Sequence, residues 1–349
     1  MRDRFPAVAL FCASPGAGLP AEPVSLPWLE ALSFGPLCFE AIGIEHDRPR
    51  AEDLCRRHAA RWAHDSIDGL LAEPQCDLLV IHAPPARRAA IARQALAAQR
   101  HVLFTAAPTF SRVELRRLLS AGLRAQRRLL WAVPQLWSPA LLKGRQLLDS
   151  GRIGRPVSLL LQMTMPRQIR LDPNAPPDAQ TDPASIGPGD LLCDLLADAL
   201  DQAVALADVP LEVLARSSPH GCMAALLTTA DACLCTILLQ EAGTPEVSTA
   251  LLEVRGQDGA MVRIENQTRL IARAGASILA QHTPEWMTLA TPRVELGLAG
   301  LVAEATAAVR PRREDPGVLG IARFETVLAV LDACLKSMAT GRAVHLKQM

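Results

Sequence analysis

Four aspartates follow one another at helical spacing in the second half of the chain. Asp190, Asp194, Asp198 and Asp201 stand at i, i+4, i+8 and i+11 of a predicted helix, which puts them on one face. A carboxylate in this arrangement can act as a general base when burial or a like charge raises its pKa. Alternatively, the four are structural, with Asp190 near the helix start and the others bonded to backbone or arginine. An oxygen-only metal site is the weaker alternative, and we predict no metal.

The segment after the first predicted strand could cradle a phosphate. Ser14, Gly16, Gly18 and Ala21 stand in it, and the last three fit a G-x-G-x-x-A pattern. Three prolines between residues 20 and 27 prevent an ordinary helix from starting at the glycines, which moves the helix dipole away from them. Two interpretations stay open: a pyrophosphate cradle that includes Ser14, Gly16 and Gly18, or a loop that only ends the strand.

The second predicted strand ends in Glu45-His46-Asp47. An acidic side chain at the end of this strand can hold the ribose hydroxyls of a dinucleotide. Glu45 or Asp47 could do so. His46, between them, stands closest to the position at which this acid is expected. The alternative is a solvated strand end without a ligand.

Short apolar runs alternate with amphipathic helices in the first third of the chain, which predicts an α/β fold with a doubly wound parallel sheet. The predicted strands are Ala7–Ala13, Phe39–Ile44, Asp77–His82, His101–Phe104 and Leu129–Val133. Helices are predicted over Arg50–Arg61, Ala86–Gln99 and Arg112–Ala125.

The pattern changes after about residue 150. A long strand is predicted over Pro156–Met165, then a Pro- and Asp-rich loop over Pro166–Pro188, and then the aspartate helix Asp190–Ala207. Six further strands follow without intervening helices, which predicts an antiparallel sheet. They are Leu211–Ser217, Ala224–Thr229, Ala232–Leu239, Ala250–Arg255, Ala260–Glu265 and Leu270–Arg273. Helices over about Val294–Val309 and Val318–Thr340 close the chain.

Composition restricts the kind of partner. Lys+Arg and Asp+Glu both number 36, so the formal net charge is zero and a general electrostatic grip on nucleic acid or on an acidic membrane is excluded. No apolar stretch is long enough to predict a membrane span. The nine cysteines are odd in number and contain no CxxC pair, so neither a disulfide scaffold nor a zinc site is expected. We expect a cytoplasmic protein that takes a small-molecule substrate or ligand.

Several segments, in the right order, resemble the Gfo/Idh/MocA (glucose–fructose oxidoreductase and inositol dehydrogenase) family. They are Asp77–Pro85 (DLLVIHAPP), Ser150–Val157 (SGRIGRPV), Leu191–Asp201 (LLCDLLADALD) and Gly341–Val344 (GRAV). The resemblance implies a Rossmann-type domain over residues 1–133 and a second α/β domain with a large, open, mainly antiparallel sheet over 134–349. The last helix could pack back on the first domain.

The same resemblance implies ligands and their contacts. NAD or NADP would bind to the first domain, with Ala83 and Pro84 beside it. Regions that face the substrate in the family hold Gln135, Trp137, Arg167 and Arg170 here, and Asp201 on the aspartate helix. The family mostly acts on sugars and other polyols, and the open sheet often forms a homodimer.

Two positions depart from the family pattern. Where the family has Glu-Lys-Pro after the fourth of the predicted strands, this chain has Thr105-Ala106-Ala107, or Ala106-Ala107-Pro108 after a shift by one residue. Where the family helix carries its catalytic histidine, this chain has Asp198, with Asp194 one turn earlier. The usual pair of lysine and histidine is therefore absent from both positions.

These departures lead to two hypotheses. In the first, the scaffold has lost its usual hydride-transfer centre and is an accessory or binding protein, alone or paired with an active paralogue, or a non-standard enzyme that uses Asp198. In the second, the chain is an NAD(P)-dependent oxidoreductase that acts on a sugar or another polyol or carbonyl substrate.

Overall fold

Two sheets of different construction organise the chain. The computed structural model describes residues 5–14, 26–35, 37–106, 112–166, 191–218, 221–242, 249–282, 297–309 and 321–346. The chain divides into two units, residues 1–137 with 295–325 and residues 138–294 with 326–349. Elements are numbered along the whole chain.

The first unit contains a six-stranded parallel sheet. Its strands are β1 Ala7–Cys12, β2 Cys38–Ile44, β3 Trp62–His64, β4 Leu78–His82, β5 His101–Phe104 and β6 Leu129–Trp131. The strand order is β3-β2-β1-β4-β5-β6. This order reverses between β1 and β4, which is the arrangement of a dinucleotide-binding Rossmann sheet. The predicted doubly wound fold is confirmed.

Helices and apolar packing hold this sheet in place. The helices of the first unit are α1 Leu26–Phe34, α2 Arg48–His58, α3 Ile67–Leu71, α4 Pro85–Ala97, α5 Arg112–Ala125 and α8 Leu298–Ala308. Every residue of β1 is fully buried, because a parallel sheet has both faces covered and its strands are therefore apolar throughout. Helix α8 adds Leu298, Leu301 and Val302 to the core that contains Leu10 of β1 and Trp28 of α1.

The second unit contains a nine-stranded sheet that is mostly antiparallel. Its strands are β7 Pro156–Pro166, β8 Pro210–Ser218, β9 Cys222–Thr229, β10 Leu234–Ala242, β11 Thr249–Gly256, β12 Met261–Glu265, β13 Arg269–Ala274, β14 Ser277–His282 and β15 Val344–His345. The order is β14-β13-β12-β11-β7-β10-β9-β8-β15, with β7 and β10 parallel. Its helices are α6 Pro139–Asp149, α7 Leu191–Ala207 and most of α9 Ile321–Thr340. Helix α7 packs on β7 and β10.

The segment that resembles the family's linker is held by close backbone packing. Ile153 is fully buried, and Gly151 and Gly154 have φ of +72° and +73°. A Cβ on Gly256 would lie only 1.6 Å from the carbonyl oxygen of Ile153. Only glycine permits this approach, so Gly256 fixes the linker against the turn between β11 and β12.

Several elements, most of them short, were not predicted from the sequence. They are β3, α3, α6, β14, β15 and a 3-10 helix over Pro134–Trp137. Most are too short or too polar for periodicity to reveal them. Helix α6 did carry a signal, since Ser138 caps it by accepting from the Leu141 N–H and Pro139 occupies its first turn. In the part of the chain that the structure describes, no helix combines the length and the apolar character needed to cross a membrane.

Candidate functional site

The carboxyl ends of the parallel strands bring together most of the predicted residues of the first unit. Ser14 follows β1, Glu45 and His46 follow β2, and Ala83 and Pro84 follow β4. Ligands of open α/β sheets bind beside these strand ends, at the point where the strand order reverses. Gly16 and Gly18 of the predicted phosphate loop lie outside the described residues.

Glu45 has a partner on each oxygen. The backbone N–H of Ser14 donates to Oε2 over 2.8 Å, and Nη2 of Arg87 donates to Oε1 over 2.7 Å. Nη1 of Arg87 donates both to Oε2 of Glu45 and, over 2.9 Å, to the carbonyl oxygen of Ser14. This ion pair, the Glu45–Arg87 clasp, ties together the ends of β1 and β2 and the first turn of α4.

The clasp holds Glu45 in its charged form. Burial alone would raise the pKa of this carboxyl, but the hydrogen bonds from Arg87 and from the Ser14 N–H outweigh burial and lower the pKa. The same pairing raises the pKa of Arg87. The Glu45 side chain is 12% exposed and that of Arg87 is 36% exposed, so the arginine forms the solvent side of the clasp.

The other residues at the end of β2 have structural roles or are exposed. Asp47 caps α2, because its Oδ1 accepts from the Arg50 N–H over 3.1 Å. His46 is exposed and has a φ of +61°, which turns the chain between Glu45 and the helix. Of the two acids that the sequence left open as ribose ligands, one is therefore a helix cap and the other belongs to the clasp.

Ala83 and Pro84 form the start of α4. Ala83 is buried, and its carbonyl oxygen accepts from Nε of Arg88 over 2.8 Å. Pro84 occupies the N-cap position without a side-chain cap, and Pro85 follows in the first turn. Two prolines in succession fix the backbone direction by which α4 leaves the strand and place Arg87 beside Glu45.

The end of β5 carries no charge. Thr105, which follows the strand, has its hydroxyl 3.0 Å from Nδ1 of His82 and donates to the carbonyl oxygen of Ile81 over 3.2 Å. Burial, with a smaller effect of Arg88, lowers the pKa of His82 to about 4, so this imidazole is neutral at neutral pH. The lysines of the chain are Lys143, Lys336 and Lys347, and none belongs to the first unit.

The segment after β6 contains buried polar atoms. Gln135 is 8% exposed. Trp137 packs at the edge of the core, against Gly300 of α8, and a Cβ added to that glycine would lie 3.7 Å from the Trp137 ring. Trp131, the last residue of β6, makes an edge-to-face contact with Phe324 at a centroid distance of 5.0 Å. Among the described residues, Oε1 of Gln135 and the Nε1 atoms of Trp131 and Trp137 have no hydrogen-bond partner. The substrate role of Gln135 and Trp137 stays a prediction.

The aspartate face lies on α7 in the second unit. Asp194 is 7% exposed, Asp201 is 2% exposed and Asp198 is half-buried, on a helix whose other residues are almost all apolar. Buried carboxylates are costly unless they are paired or protonated, so their retention on one face needs a reason. Within the described ranges, no three His, Cys, Asp or Glu side chains are grouped to hold a metal ion. Asp190, Arg167 and Arg170 lie outside the described residues.

Sequence reasoning missed Arg87 and the contact between Thr105 and His82. A weak signal for Arg87 was present, since an arginine in the first turn of a helix is opposed by the helix dipole and is favoured there by a carboxylate partner. His101 is structural, because its Nδ1 accepts from the Arg128 N–H over 2.9 Å.

Several solved structures with the same architecture are oxidoreductases. No protein-family model and no curated protein matches the chain. An NAD binding oxidoreductase from Klebsiella pneumoniae is 17% identical with a TM-score of 0.77, covering 99% of this chain and 100% of that one. GenD2 from gentamicin A biosynthesis, in complex with NAD, is 19% identical with a TM-score of 0.74, covering 100% and 98%.

A third similar structure is UDP-N-acetylglucosamine 3-dehydrogenase GnnA from Acidithiobacillus ferrooxidans, which is 17% identical with a TM-score of 0.71 and covers 97% and 98%. These neighbours are NAD(P)-binding oxidoreductases of the Gfo/Idh/MocA type. The chain has the two-domain fold of that group over nearly its whole length, so the resemblance inferred from sequence motifs is confirmed at the level of the fold.

Proposed function

We propose that this chain binds a nicotinamide dinucleotide at the carboxyl edge of its parallel sheet and is a non-standard relative of the Gfo/Idh/MocA oxidoreductases. In this proposal it is an accessory or binding protein, or an enzyme that uses Asp198 where the family uses histidine. The single observation that carries the proposal is the uncharged end of β5, in a unit that contains no lysine.

The strand order and the clasp support binding of a dinucleotide. The reversal between β1 and β4 lies beside Ser14, and Arg87 supplies a cation for a phosphate at the same edge. The described residues therefore fit the phosphates of a dinucleotide. A ribose diol on Glu45 would compete with Arg87, whose guanidinium already donates to both carboxylate oxygens. When bound, a nicotinamide dinucleotide supplies or accepts a hydride.

The missing amine argues against ordinary turnover. General acid–base catalysis typically contributes about 10²–10⁴-fold to a rate. Thr105 offers a hydroxyl, and His82 is a neutral imidazole whose pKa is too low for it to carry a proton at neutral pH. Neither group replaces a cationic lysine, so a standard polyol dehydrogenase rate is not expected.

The second candidate is an NAD(P)-dependent oxidoreductase acting on a sugar or another polyol or carbonyl substrate. Its support is the set of buried carboxylates on α7. A carboxylate whose pKa is raised by burial and by neighbouring carboxylates can accept a proton at neutral pH. Asp198, the least buried of the three, is the residue that this candidate would use as the base, with Asp194 and Asp201 beside it.

A titration with NADH and NADPH, followed by calorimetry, tests dinucleotide binding. We expect a Kd below about 100 μM for at least one of them, and heat indistinguishable from dilution would reject the proposal. A screen of polyols and sugars with both cofactors then separates the two candidates. A rate normal for dehydrogenases, about 1 s⁻¹ or faster, would favour the second candidate.

An Asp198→Asn variant tests any activity that the screen finds. Loss of about 10²-fold or more in kcat is expected for a base, since the amide cannot accept the proton. The matched control is Asp149→Asn, which changes an exposed carboxylate of the same unit. Equal rates in both variants would leave the binding or accessory role.

We also propose that a second copy of the chain, or a paralogue, covers the outer face of the nine-stranded sheet. Leu214 of β8 pairs with Leu226 of β9 on this face, and both are exposed, as is Leu234 of β10. Exposed apolar side chains in neighbouring strands are typical of an interface. Light scattering on the wild type and on Leu226→Glu tests this, since the charge would separate the copies.

The cysteines bear on the compartment that we propose. All nine lie in described residues, and none forms a disulfide. Several are buried, and burial raises the pKa of Cys76 to about 12, so such thiols stay protonated. A chain with this many thiols suits a reducing compartment, which supports the proposed cytoplasmic location.

A further inference from the structure

We infer that Arg87 makes this chain select the 2′-phosphorylated dinucleotide, NADPH, over NADH. This inference rests on the proposed dinucleotide binding and adds the identity of the cofactor and the residue that decides it. An acid at the end of β2 would by itself predict NAD, because a carboxylate accepts from the ribose diol and repels a phosphate. The clasp reverses that expectation.

Neither acid at the end of β2 is a free carboxylate. Glu45 uses both oxygens to accept from Arg87 and from the Ser14 N–H. Asp47 caps α2, with its Oδ1 accepting from the Arg50 N–H. A guanidinium presents two parallel N–H donors, as a vicinal diol presents two O–H donors, so Arg87 takes the place on Glu45 that a free ribose would occupy.

The pairing with Arg87 also cancels the negative charge of Glu45 at this edge. A lone Glu45 carboxylate would repel a 2′-phosphate, but the paired arginine neutralises it. Arg87 is the outer member of the pair, being 36% exposed against 12% for Glu45. At the start of α2, close in sequence to Glu45, Arg50 stands exposed, while the exposed Arg48 is paired with Glu52.

Arg87 keeps a pair of donors for a ligand. Its bonds to Glu45 and Ser14 use both N–H groups of Nη1 and one of Nη2. The remaining N–H of Nη2 and the N–H of Nε have no acceptor among the described residues. These two donors lie on the same side of the planar guanidinium and form the fork that binds two phosphate oxygens at once. Glu45 therefore acts as a positioning residue that orients the fork.

The test compares the Kd of NADPH and NADH by calorimetry on the full-length wild type and on three variants. Arg87→Ala removes the fork and exposes Glu45. Arg87→Lys keeps a charge beside Glu45 but cannot offer two parallel donors. Arg93→Ala removes an exposed arginine of the same helix, paired with Glu114, and is the matched control. Thermal unfolding verifies that each variant is folded.

We expect the wild type to bind NADPH about tenfold or more tightly than NADH, as charge-assisted bonds to a phosphate predict. Arg87→Ala should abolish or invert this ratio, because the uncovered carboxylate accepts from a diol and repels a phosphate. Arg87→Lys should reduce the ratio even if Arg87→Ala fails to fold, and Arg93→Ala should keep it. Adenosine 2′,5′-bisphosphate against AMP should show the same order without the nicotinamide.

Other outcomes overturn the inference in distinguishable ways. If the wild type binds NADH as tightly as NADPH, or more tightly, Arg87 does not select the phosphate, while the proposed dinucleotide binding stands. If Arg87→Lys weakens both dinucleotides equally, Arg87 contacts the pyrophosphate that they share, and the inference is wrong. If the folded wild type and all folded variants bind neither dinucleotide, the proposed function fails, and the inference fails with it.

Discussion

Two strand ends of the same parallel sheet are built in opposite ways. At the end of β2, Glu45 and Arg87 are both charged and are held by each other and by the backbone of Ser14. At the end of β5, Thr105 and Ala106 carry no charge, and the neighbouring His82 is neutral. Under the proposed function, the charged end would face a phosphate of the dinucleotide, and the uncharged end is where the family resemblance implies a lysine. The difference between the two ends allows binding and chemistry to be tested separately within one sheet.

The largest expected effect comes from restoring the missing residue types. Ala106→Lys combined with Asp198→His supplies the amine and the imidazole at the two positions that depart from the family pattern. We expect NAD(P)-dependent oxidation of a responsive polyol to rise by about 10²-fold or more over the wild type, since acid–base catalysis contributes on that scale. Steady-state absorbance of the reduced cofactor measures it.

The control for this experiment is Ala106→Met with Asp198→His, which matches the length of lysine without its charge. An equal rise in both double variants would show that the amine is irrelevant, and the contrast between the two strand ends would lose its functional meaning.

The neutral His82, which ends β4 beside Thr105, predicts a pH dependence of stability. His82 has a folded pKa of about 4 against about 6.5 when unfolded, so between these values the unfolded chain binds more protons. The folded state therefore loses roughly 3 kcal/mol through this residue as the pH falls from 7 to 4. The loss in His82→Asn should be smaller by that amount, measured by urea unfolding at several pH values.

His101 titrates in the same direction and window, since burial lowers its pKa to about 4 as well. His82→Asn combined with His101→Asn should therefore flatten the dependence of stability on pH further than His82→Asn alone. The exposed His345 is the control, and His345→Asn should follow the wild type. A His82→Asn profile that also coincides with the wild type would mean that His82 is not held neutral.

The charged end of β2 predicts a smaller effect on stability. Arg87→Ala leaves Glu45 largely buried with only the Ser14 N–H as a donor, and about 1–3 kcal/mol of unfolding free energy should be lost after allowing for solvent around the arginine. Arg93→Ala, which breaks an exposed pair, should cost less than about 1 kcal/mol. Equal losses would show that the clasp is an ordinary surface ion pair.

The pH profile of the clasp has its own sign. Because the folded pKa of Glu45 is lowered, its contribution is complete above the unfolded value and is lost as the pH falls through the folded value. The difference in stability between the wild type and Arg87→Ala should therefore shrink in acid.

The smallest expected effect distinguishes the two acids at the end of β2. Asp47→Ala removes the cap of α2 and should cost about 1 kcal/mol, while Asp47→Ser, which can still cap, should restore most of it. Neither substitution should change the ratio of NADPH to NADH affinity. A changed ratio in Asp47→Ser would make Asp47 a ligand of the ribose and would weaken the contrast between the two strand ends.

Long apolar strands and periodic helices were predictable, because burial on both faces or on one stripe leaves a direct mark on the sequence. The strand β1, the helix α5 and the run of strands in the second unit are examples. Short elements such as β3 and β15 were not, because two or three residues carry no period, and their formation depends on a neighbouring strand. The family resemblance, read from a few local motifs, was enough for the fold.

The candidate site divides in the same way. The sequence by itself determined which residue types are present: an acid after β2, no lysine in the first unit, and aspartates on one face of α7. Only the tertiary structure decided what those residues do, because Ser14, Glu45 and Arg87 are far apart in the chain and meet only when parallel strands end at one edge. An ion pair depends on distance and burial, and neither quantity is local in sequence.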